Sequence, residues 1–252
     1  MFRTRFKNGI VAEFLPPART AKRERLIIVC DGMPSIPRKQ ALVTFLASKG
    51  YWVLYPRYRG AWESEGEFLQ RAPHEDILDL IPELRKGIRE VAFGQRFVPK
   101  SDEVFVIGGS FGGAAAILCS LDSRITRVVA NCPVVDWAIL PKEQKAETSN
   151  PNYAGYIREA FGNGYRLSDK NWLKLHRGDF FNPAYHIKEL DPAKVMMIHA
   201  VDDPYIPYKL VARFAAKSGI TLKTVRSGGH LRTEEVVHKF WPQIRMFLEA
   251  AK

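Results

Sequence analysis

The segment EVFVIGGSFGGAAAIL, residues 103–118, constrains the fold more than any other part of the sequence. Its first half has the β-branched and aromatic composition of a strand buried on both faces, and its alanine-rich second half favours a helix. Four glycines flank Ser110 and Phe111 at the junction, where the backbone must turn sharply. The segment therefore predicts a buried strand that runs directly into a helix, with a serine at the turn.

The same junction matches the spacing G-x-S-x-G from Gly108 to Gly112. In a nucleophile elbow, this spacing forms a strained turn that lifts the serine hydroxyl above the sheet, and the next N–H, here that of Phe111, faces the same point. A glycine-rich packing turn and a phosphate-binding loop are the alternatives, although the Lys-Ser/Thr ending of a phosphate loop is missing. The strand before the motif and the helix after it favour Ser110 as a nucleophile.

Strand-like and helix-like segments alternate along most of the chain. After a candidate N-terminal hairpin, strands are predicted at RLIIVC, YWVLYP, EVFVIG, TRVVANC, KVMMIHA and TLKTVR, and helices at residues 38–49, 73–91, 112–121, 206–217 and 233–250. Such alternation requires crossover connections and predicts an α/β fold with a mostly parallel central sheet and helices on both faces. Functional side chains in such folds gather at the carboxyl ends of the strands.

One interval, residues 133–191, interrupts the alternation and is rich in tyrosine, tryptophan and phenylalanine. It predicts a small helical insertion. The insertion builds its own small core, caps a substrate pocket, or does both. The whole chain of 252 residues, 46% hydrophobic, is expected to form a single domain over residues 1–252.

Composition and charge exclude several classes of function. The net charge of +11 comes from 38 basic residues scattered among 27 acidic ones, which argues against nucleic-acid binding as the main role. Three cysteines in apolar surroundings show neither metal nor redox spacing. No window is apolar enough to span a membrane, and the first residues do not resemble a signal peptide, so a cytoplasmic protein without membrane attachment is expected. The oligomeric state stays open, a homo-oligomer included.

A serine nucleophile needs a base to take its proton and an acid to orient that base. In the elbow arrangement, the acid and then the histidine should follow later strands. Asp202 and Asp203 follow KVMMIHA, and His230 lies in the loop SGGHLRTEE after TLKTVR. Asp203 is the preferred acid because Pro204 biases it toward extended backbone, and Asp202 is the alternative. An aspartate at this position could instead have a purely structural role as the N-cap of the following helix.

The oxyanion of an acyl-transfer reaction needs two preorganised N–H donors. The N–H of Phe111 follows from the elbow. The loop DGMPS after RLIIVC should supply the second, since Gly32 permits a tight turn and leaves the N–H of Met33 as the candidate. A plain turn at Asp31-Gly32 is the alternative for this loop.

These motifs resemble the α/β-hydrolase superfamily, and the chain from about residue 25 onward resembles the catalytic domain of prolyl oligopeptidase-like (S9) peptidases and related esterases. The resemblance rests on Tyr58-Arg59-Gly60, on the glycine-flanked Ser110 and on HAVDDPYIP at residues 199–207. The corresponding family pattern, His-Gly-x-x-Asp-x-x-Val, places its acid on Asp203. The chain departs from the family at Ala200 and Asp31, which stand where a glycine and a histidine are usual.

The resemblance implies a serine hydrolase with the catalytic residues Ser110, Asp203 and His230, the oxyanion donors Met33 and Phe111, and no metal or organic cofactor. The sequence has no room for a β-propeller and no tyrosine in the loop VCDGMPS, which favours a carboxylesterase acting on small short-chain esters over a peptidase. A peptidase acting on short peptides is the main alternative, with Arg57 or Arg59 as a binding group for a charged terminus. A binding module without activity and an acyltransferase are further alternatives.

Overall fold

An eight-stranded sheet forms the centre of the computed structural model, which describes residues 1–19, 23–139 and 153–250. Its strands, in spatial order, are β1 (Phe2–Arg5), β2 (Val11–Leu15), β4 (Trp52–Pro56), β3 (Arg25–Cys30), β7 (Glu103–Gly109), β8 (Arg127–Asn131), β9 (Val195–Ala200) and β10 (Thr221–Val225). The strands from β4 to β10 run parallel, and the predicted N-terminal hairpin, β1 and β2, adds an antiparallel edge.

Helices cover both faces of this sheet. They are α1 (Gln40–Ser48), α2 (Pro73–Lys86), α3 (Phe111–Cys119), α4 (Tyr153–Phe161), α5 (Asp169–Trp172), α6 (Tyr208–Ser218), α7 (Thr233–Lys239) and α8 (Trp241–Glu249). The buried side chains of β7 alternate between two apolar clusters, with Val106 in the cluster that contains α2, α3 and α6, and Ile107 in the cluster that contains α1, α7 and α8. A sheet buried on both faces explains why its strands read as continuous apolar runs.

Two predicted helices differ from the observed ones. The helix expected over residues 73–91 ends at Lys86, because Gly87 takes a φ of 94° and the chain continues into a short hairpin of β5 (Ile88–Arg89) and β6 (Arg96–Phe97). The helix expected over residues 233–250 is broken at Phe240, before a proline in the first turn of α8.

The aromatic interval folds over one cluster of the core. Its described residues form α4, α5 and short 3₁₀ turns, and Trp137 and Phe181 pack against Phe111 at ring-centroid distances of 5.9 and 4.8 Å. Part of the predicted insertion, residues 140–152, lies outside the described residues. Among the helices of the described ranges, none has the length and apolar character needed to cross a bilayer.

Candidate active site

Ser110 lies at the sharp turn between β7 and α3. Its φ of 56° and ψ of −118° are strained for a residue with a side chain, and such strain persists only where the surroundings hold it. The backbone N–H of Ser110 donates to the carbonyl of Asn131 at 2.8 Å, and its carbonyl accepts from Gly113 and Val134. These bonds fix the turn from both sides, as the elbow spacing predicts.

The glycines of the elbow allow backbone segments to touch. A β-carbon on Gly108 would lie 2.0 Å from the carbonyl oxygen of Gly112, so the strand and the helix could not approach as they do. A β-carbon on Gly112 would lie 2.4 Å from the carbonyl oxygen of Cys30, at the end of β3. The motif therefore brings the elbow and the loop after β3 into direct contact.

A cavity of about 430 Å³ opens above the elbow. It brings together Ser110, His230, Met33 and Phe111, all of which the sequence singled out. Its remaining walls come from the loop after β3, the aromatic interval and the segments around residues 205 and 230: Asp31, Gly32, Pro34, Ser35, Lys39, Gly109, Val134, Trp137, Tyr153, Tyr205, Ile206, Leu231, Arg232, Thr233 and Glu234. The predicted site residues thus meet at the carboxyl end of the sheet.

His230 is paired with Asp203 and not with Asp202. The imidazole Nδ1 lies 2.8 Å from Oδ2 of Asp203, whose other oxygen accepts the backbone N–H groups of Tyr205 and Ile206. Burial opposes ionisation of Asp203, but its hydrogen bond to His230 and the charge of that imidazole outweigh burial, so the pKa of Asp203 is lowered. Asp203 is therefore ionised at neutral pH and able to orient the imidazole through Nδ1.

Asp202 binds the backbone of the loop that carries His230. Its carboxylate accepts the backbone N–H groups of Gly228 at 3.1 Å and Gly229 at 2.9 Å, and these hydrogen bonds lower its pKa. Asp202 therefore holds the backbone of the loop before His230, whose imidazole is hydrogen-bonded to Asp203 instead.

The hydroxyl of Ser110 and the imidazole of His230 line the same cavity. No residue in the described ranges forms a hydrogen bond with Oγ of Ser110. Catalytic hydrogen bonds in substrate-free sites are often long and tighten only when substrate binds. Oγ of Ser110 has to come within hydrogen-bond reach of the imidazole before a proton could pass between them.

The two candidate oxyanion donors also reach the cavity. Neither the N–H of Met33 nor that of Phe111 donates to another described residue, which leaves both available to a ligand. The Met33 loop lies against Ser110, since a β-carbon on Gly32 would be 3.7 Å from Cβ of that serine. Both donors border the space in which a carbonyl bound to Ser110 would sit.

The loop after β3 is anchored by a group that the sequence analysis did not assign. The carboxylate of Asp31 accepts the N–H of Gly32 at 2.9 Å and the hydroxyl of Tyr55, and Nζ of Lys39 lies 3.4 Å from it. The hydroxyl of Tyr58 donates to the Asp31 carbonyl at 3.0 Å. Asp31-Gly32 is therefore more than a plain turn, although the Asp-Gly pattern alone carries no signal of these partners.

Asn131 is a second residue that sequence analysis missed. Its side-chain Nδ2 donates to the carbonyl of Leu231 at 2.6 Å, which ties β8 to the histidine loop. Asn131 is buried, and an amide at the carboxyl end of a predicted buried strand was the available signal.

Other candidates from the sequence have structural roles. His199 was expected to be a satisfied core histidine, and it is fully buried, but only Nε2 has a partner, the Ile206 carbonyl at 2.9 Å, while Nδ1 has none. Arg57 pairs with Glu13 and Glu63, and Arg59 pairs with Asp76. Neither arginine lines the cavity, so neither is placed to bind the charged terminus of a peptide there.

Metal-ligating atoms converge at one point among the described residues, where Cys132, Asp203 and His230 lie within 4.8 Å of one another. Two of these side chains are already engaged with each other, and the third is a neutral thiol. The imidazole and the carboxylate already share a 2.8 Å hydrogen bond, and burial raises the pKa of the Cys132 thiol to about 12, which keeps it protonated. All three cysteines are buried and unpaired, as expected for small apolar residues.

Comparison with known proteins identifies a family and several structures that this chain resembles. The model of the prolyl oligopeptidase family matches residues 38–230. An acylaminoacyl peptidase from Pyrococcus horikoshii superposes with a TM-score of 0.70 at 16% identity, covering 100% of this chain and 42% of that one. This chain therefore spans about two fifths of the peptidase. The predicted α/β-hydrolase fold is confirmed.

Two esterases are similar in length to this chain. An esterase from Pyrococcus furiosus superposes with a TM-score of 0.66 at 19% identity, covering 98% of this chain and 89% of that one. Est1E from Butyrivibrio proteoclasticus gives 0.65 at 13% identity, with 99% and 98% covered. No curated protein matches the sequence significantly.

Proposed function

The chain belongs to the prolyl oligopeptidase family, and from that membership we propose that it is a serine hydrolase that cleaves small carboxylic esters with short acyl chains. The observation that carries the proposal is the cavity that holds Ser110 and His230 together, with His230 hydrogen-bonded to the buried Asp203. This is the order and pairing of groups that acyl transfer from an ester to water requires.

The reaction proceeds in two halves. Oγ of Ser110 attacks the ester carbonyl carbon while Nε2 of His230 takes its proton, and the carbonyl oxygen becomes an oxyanion held by the N–H groups of Met33 and Phe111. The alcohol leaves with the proton from His230, which leaves an acyl-serine. Water, deprotonated by the same imidazole, then attacks the acyl carbon, and the acid departs as Oγ recovers its proton.

Asp203 acts through His230 in both halves. Its carboxylate holds Nδ1–H, which leaves Nε2 as the basic nitrogen toward the serine and stabilises the imidazolium that forms. The backbone N–H groups of Tyr205 and Ile206 in turn hold the carboxylate. The acid is therefore ionised and fixed before substrate arrives.

The cavity supports an ester of modest size. Trp137, Tyr153 and Val134 give it an apolar and aromatic wall, and its volume of about 430 Å³ is in the range of small-molecule sites. The arginines that could have held a peptide terminus, Arg57 and Arg59, are engaged in ion pairs outside the cavity. The structural similarity to an acylaminoacyl peptidase keeps short-peptide hydrolysis as the second candidate.

The test is a panel of p-nitrophenyl esters from acetate to palmitate, run beside aminoacyl and acylaminoacyl p-nitroanilides. We expect the highest kcat/KM with acetate or butyrate, and Ser110→Ala to lower it by at least about 10⁴-fold. Ser48→Ala, an exposed serine on α1, is the matched control and should retain the parent rate. A maximum at long acyl chains would refute the short-chain preference, and hydrolysis of anilides without hydrolysis of esters would assign the second candidate.

Labelling by a fluorophosphonate separates the nucleophile from the substrate class. We expect the parent and Ser48→Ala to label and Ser110→Ala to remain unlabelled. A parent chain that neither labels nor hydrolyses any member of the panel would indicate a binding module with the fold of a hydrolase.

A further inference from the structure

Asp31 places a carboxylate where a negative charge should hinder the proposed reaction. It lies in the loop that carries Met33, the residue as a whole is only 8% exposed, and it lines the cavity. The next residue, Gly32, lies against Ser110. An anion that borders the cavity raises the energy of an oxyanion that develops there unless another charge offsets it.

The contacts of Asp31 explain what the carboxylate contributes. One oxygen accepts the N–H of Gly32 at 2.9 Å and the other accepts the hydroxyl of the fully buried Tyr55. Burial, with the charge of Asp31, raises the pKa of Tyr55, so this phenol remains a donor. The carboxylate thus fixes the Gly32 N–H, and the following N–H, that of Met33, has no acceptor among the described residues.

Lys39 provides the opposite charge. It directly precedes α1, lines the same cavity and places Nζ 3.4 Å from Oδ1 of Asp31. Its side chain is 26% exposed and that of Asp31 is 11% exposed, so water screens this pair less than a surface ion pair.

We propose that Asp31 is a positioning residue for the oxyanion loop and that Lys39 offsets its charge, so that the two act as one unit in transition-state stabilisation. The inference rests on the proposed function of the cavity. It assigns to Lys39 an effect on the rate of acyl transfer and not on the binding of an uncharged ester.

The test is a charge cycle on hydrolysis of p-nitrophenyl acetate. Lys39→Gln leaves the carboxylate uncompensated, and we expect kcat to fall about tenfold with KM unchanged within twofold. Asp31→Asn keeps an acceptor for the Gly32 N–H and removes the charge, and we expect kcat to stay within about threefold of the parent. The double variant should likewise recover to within about threefold, because nothing then needs offsetting.

Lys49→Gln is the matched control, since it removes the same charge at the other end of α1, where Nζ lies over the Phe45 ring. It should retain the parent kcat. Unchanged kcat in Lys39→Gln, a double variant as slow as Lys39→Gln, or a loss confined to KM would each overturn the inference. A parent chain with neither hydrolysis nor fluorophosphonate labelling would overturn the proposed function and this inference with it.

Discussion

The side-chain amide of Asn131 donates a 2.6 Å hydrogen bond to the backbone carbonyl of Leu231, the residue after His230. The backbone carbonyl of Asn131 accepts the N–H of Ser110 at 2.8 Å. A single buried residue therefore connects the nucleophile turn to the loop that carries the proposed base. In the proposed reaction, the distance that a proton crosses between Ser110 and His230 depends on this connection.

We expect substitution of Asn131 to lower kcat more than it changes KM. Asn131→Asp replaces the donor by a carboxylate that repels the Leu231 carbonyl, and kcat should fall by about tenfold to a hundredfold with a parallel fall in the rate of fluorophosphonate labelling. Asn163→Ala, at an exposed asparagine, is the control for loss of an amide. Steady-state kinetics and unfolding curves check both, and a folded Asn131→Asp with the parent kcat would contradict the expectation.

Substitution of the two neighbouring aspartates should lower kcat to very different extents. Asp203→Asn removes the charge that stabilises the imidazolium and favours the wrong tautomer, so kcat should fall by about 10²–10⁴-fold. Asp202→Asn removes acceptor strength from two glycine N–H bonds at the surface and should change kcat by less than about threefold. Kinetics on one ester substrate measure both, and equal losses would show that the assignment of the acid is wrong.

Substitution of two glycines by alanine should change the free energy of unfolding in opposite directions. Gly112→Ala would place Cβ 2.4 Å from the Cys30 carbonyl oxygen, and we expect a loss of about 3 kcal/mol in the free energy of unfolding. Gly155→Ala, on α4, meets nothing within 4 Å and should gain about 0.5–1 kcal/mol through helix propensity. Urea denaturation decides, and a Gly112→Ala variant as stable as the parent would show that the two segments can separate cheaply.

His74 should make stability depend on pH. Burial, aided by the charges of His186 and Arg71, lowers its pKa from 6.5 to about 4, and its Nδ1 has no partner. Between these pH values the unfolded chain binds the proton more readily than the folded one. The contribution of neutral His74 is therefore complete above pH 6.5 and is lost as the pH falls toward 4.

His74→Phe keeps a ring against Phe181 and removes the titration. Relative to this variant, the parent should lose about 2 kcal/mol of unfolding free energy between pH values of about 7.5 and 5. Urea denaturation at both pH values measures the difference, and parallel losses in the two proteins would rule out His74 as the source.

Local signals made the elbow and the order of the site residues predictable. The glycines around Ser110 must sit where backbone crowds backbone, and a strand followed at once by a helix leaves few other conformations. Asp203 and His230 each follow a strand, so a parallel sheet brings them to one edge. The sequence favoured Asp203 over Asp202 through Pro204 and the family pattern, but it left Asp202 open, because the choice depends on which carboxylate faces a loop 27 residues away.

The features that sequence analysis missed depend on contacts across the sheet. Asn131 meets Leu231 across 100 residues of chain, and Tyr55 meets Asp31 because β3 and β4 are neighbours. The predicted helix over residues 73–91 was too long for a local reason. Gly87 is a helix-ending signal, and the apolar residues after it obscured that signal.

Contact between the Cys30 carbonyl and Gly112 has a consequence for engineering substrate range. The segments that bear the two proposed backbone donors are in direct contact at this point, so we expect the groups proposed for acyl transfer to keep their relative positions. Trp137 and Tyr153 line the same cavity but belong to the aromatic interval. A mutant library directed at those two rings could diversify the esters accepted while the reacting groups keep their alignment.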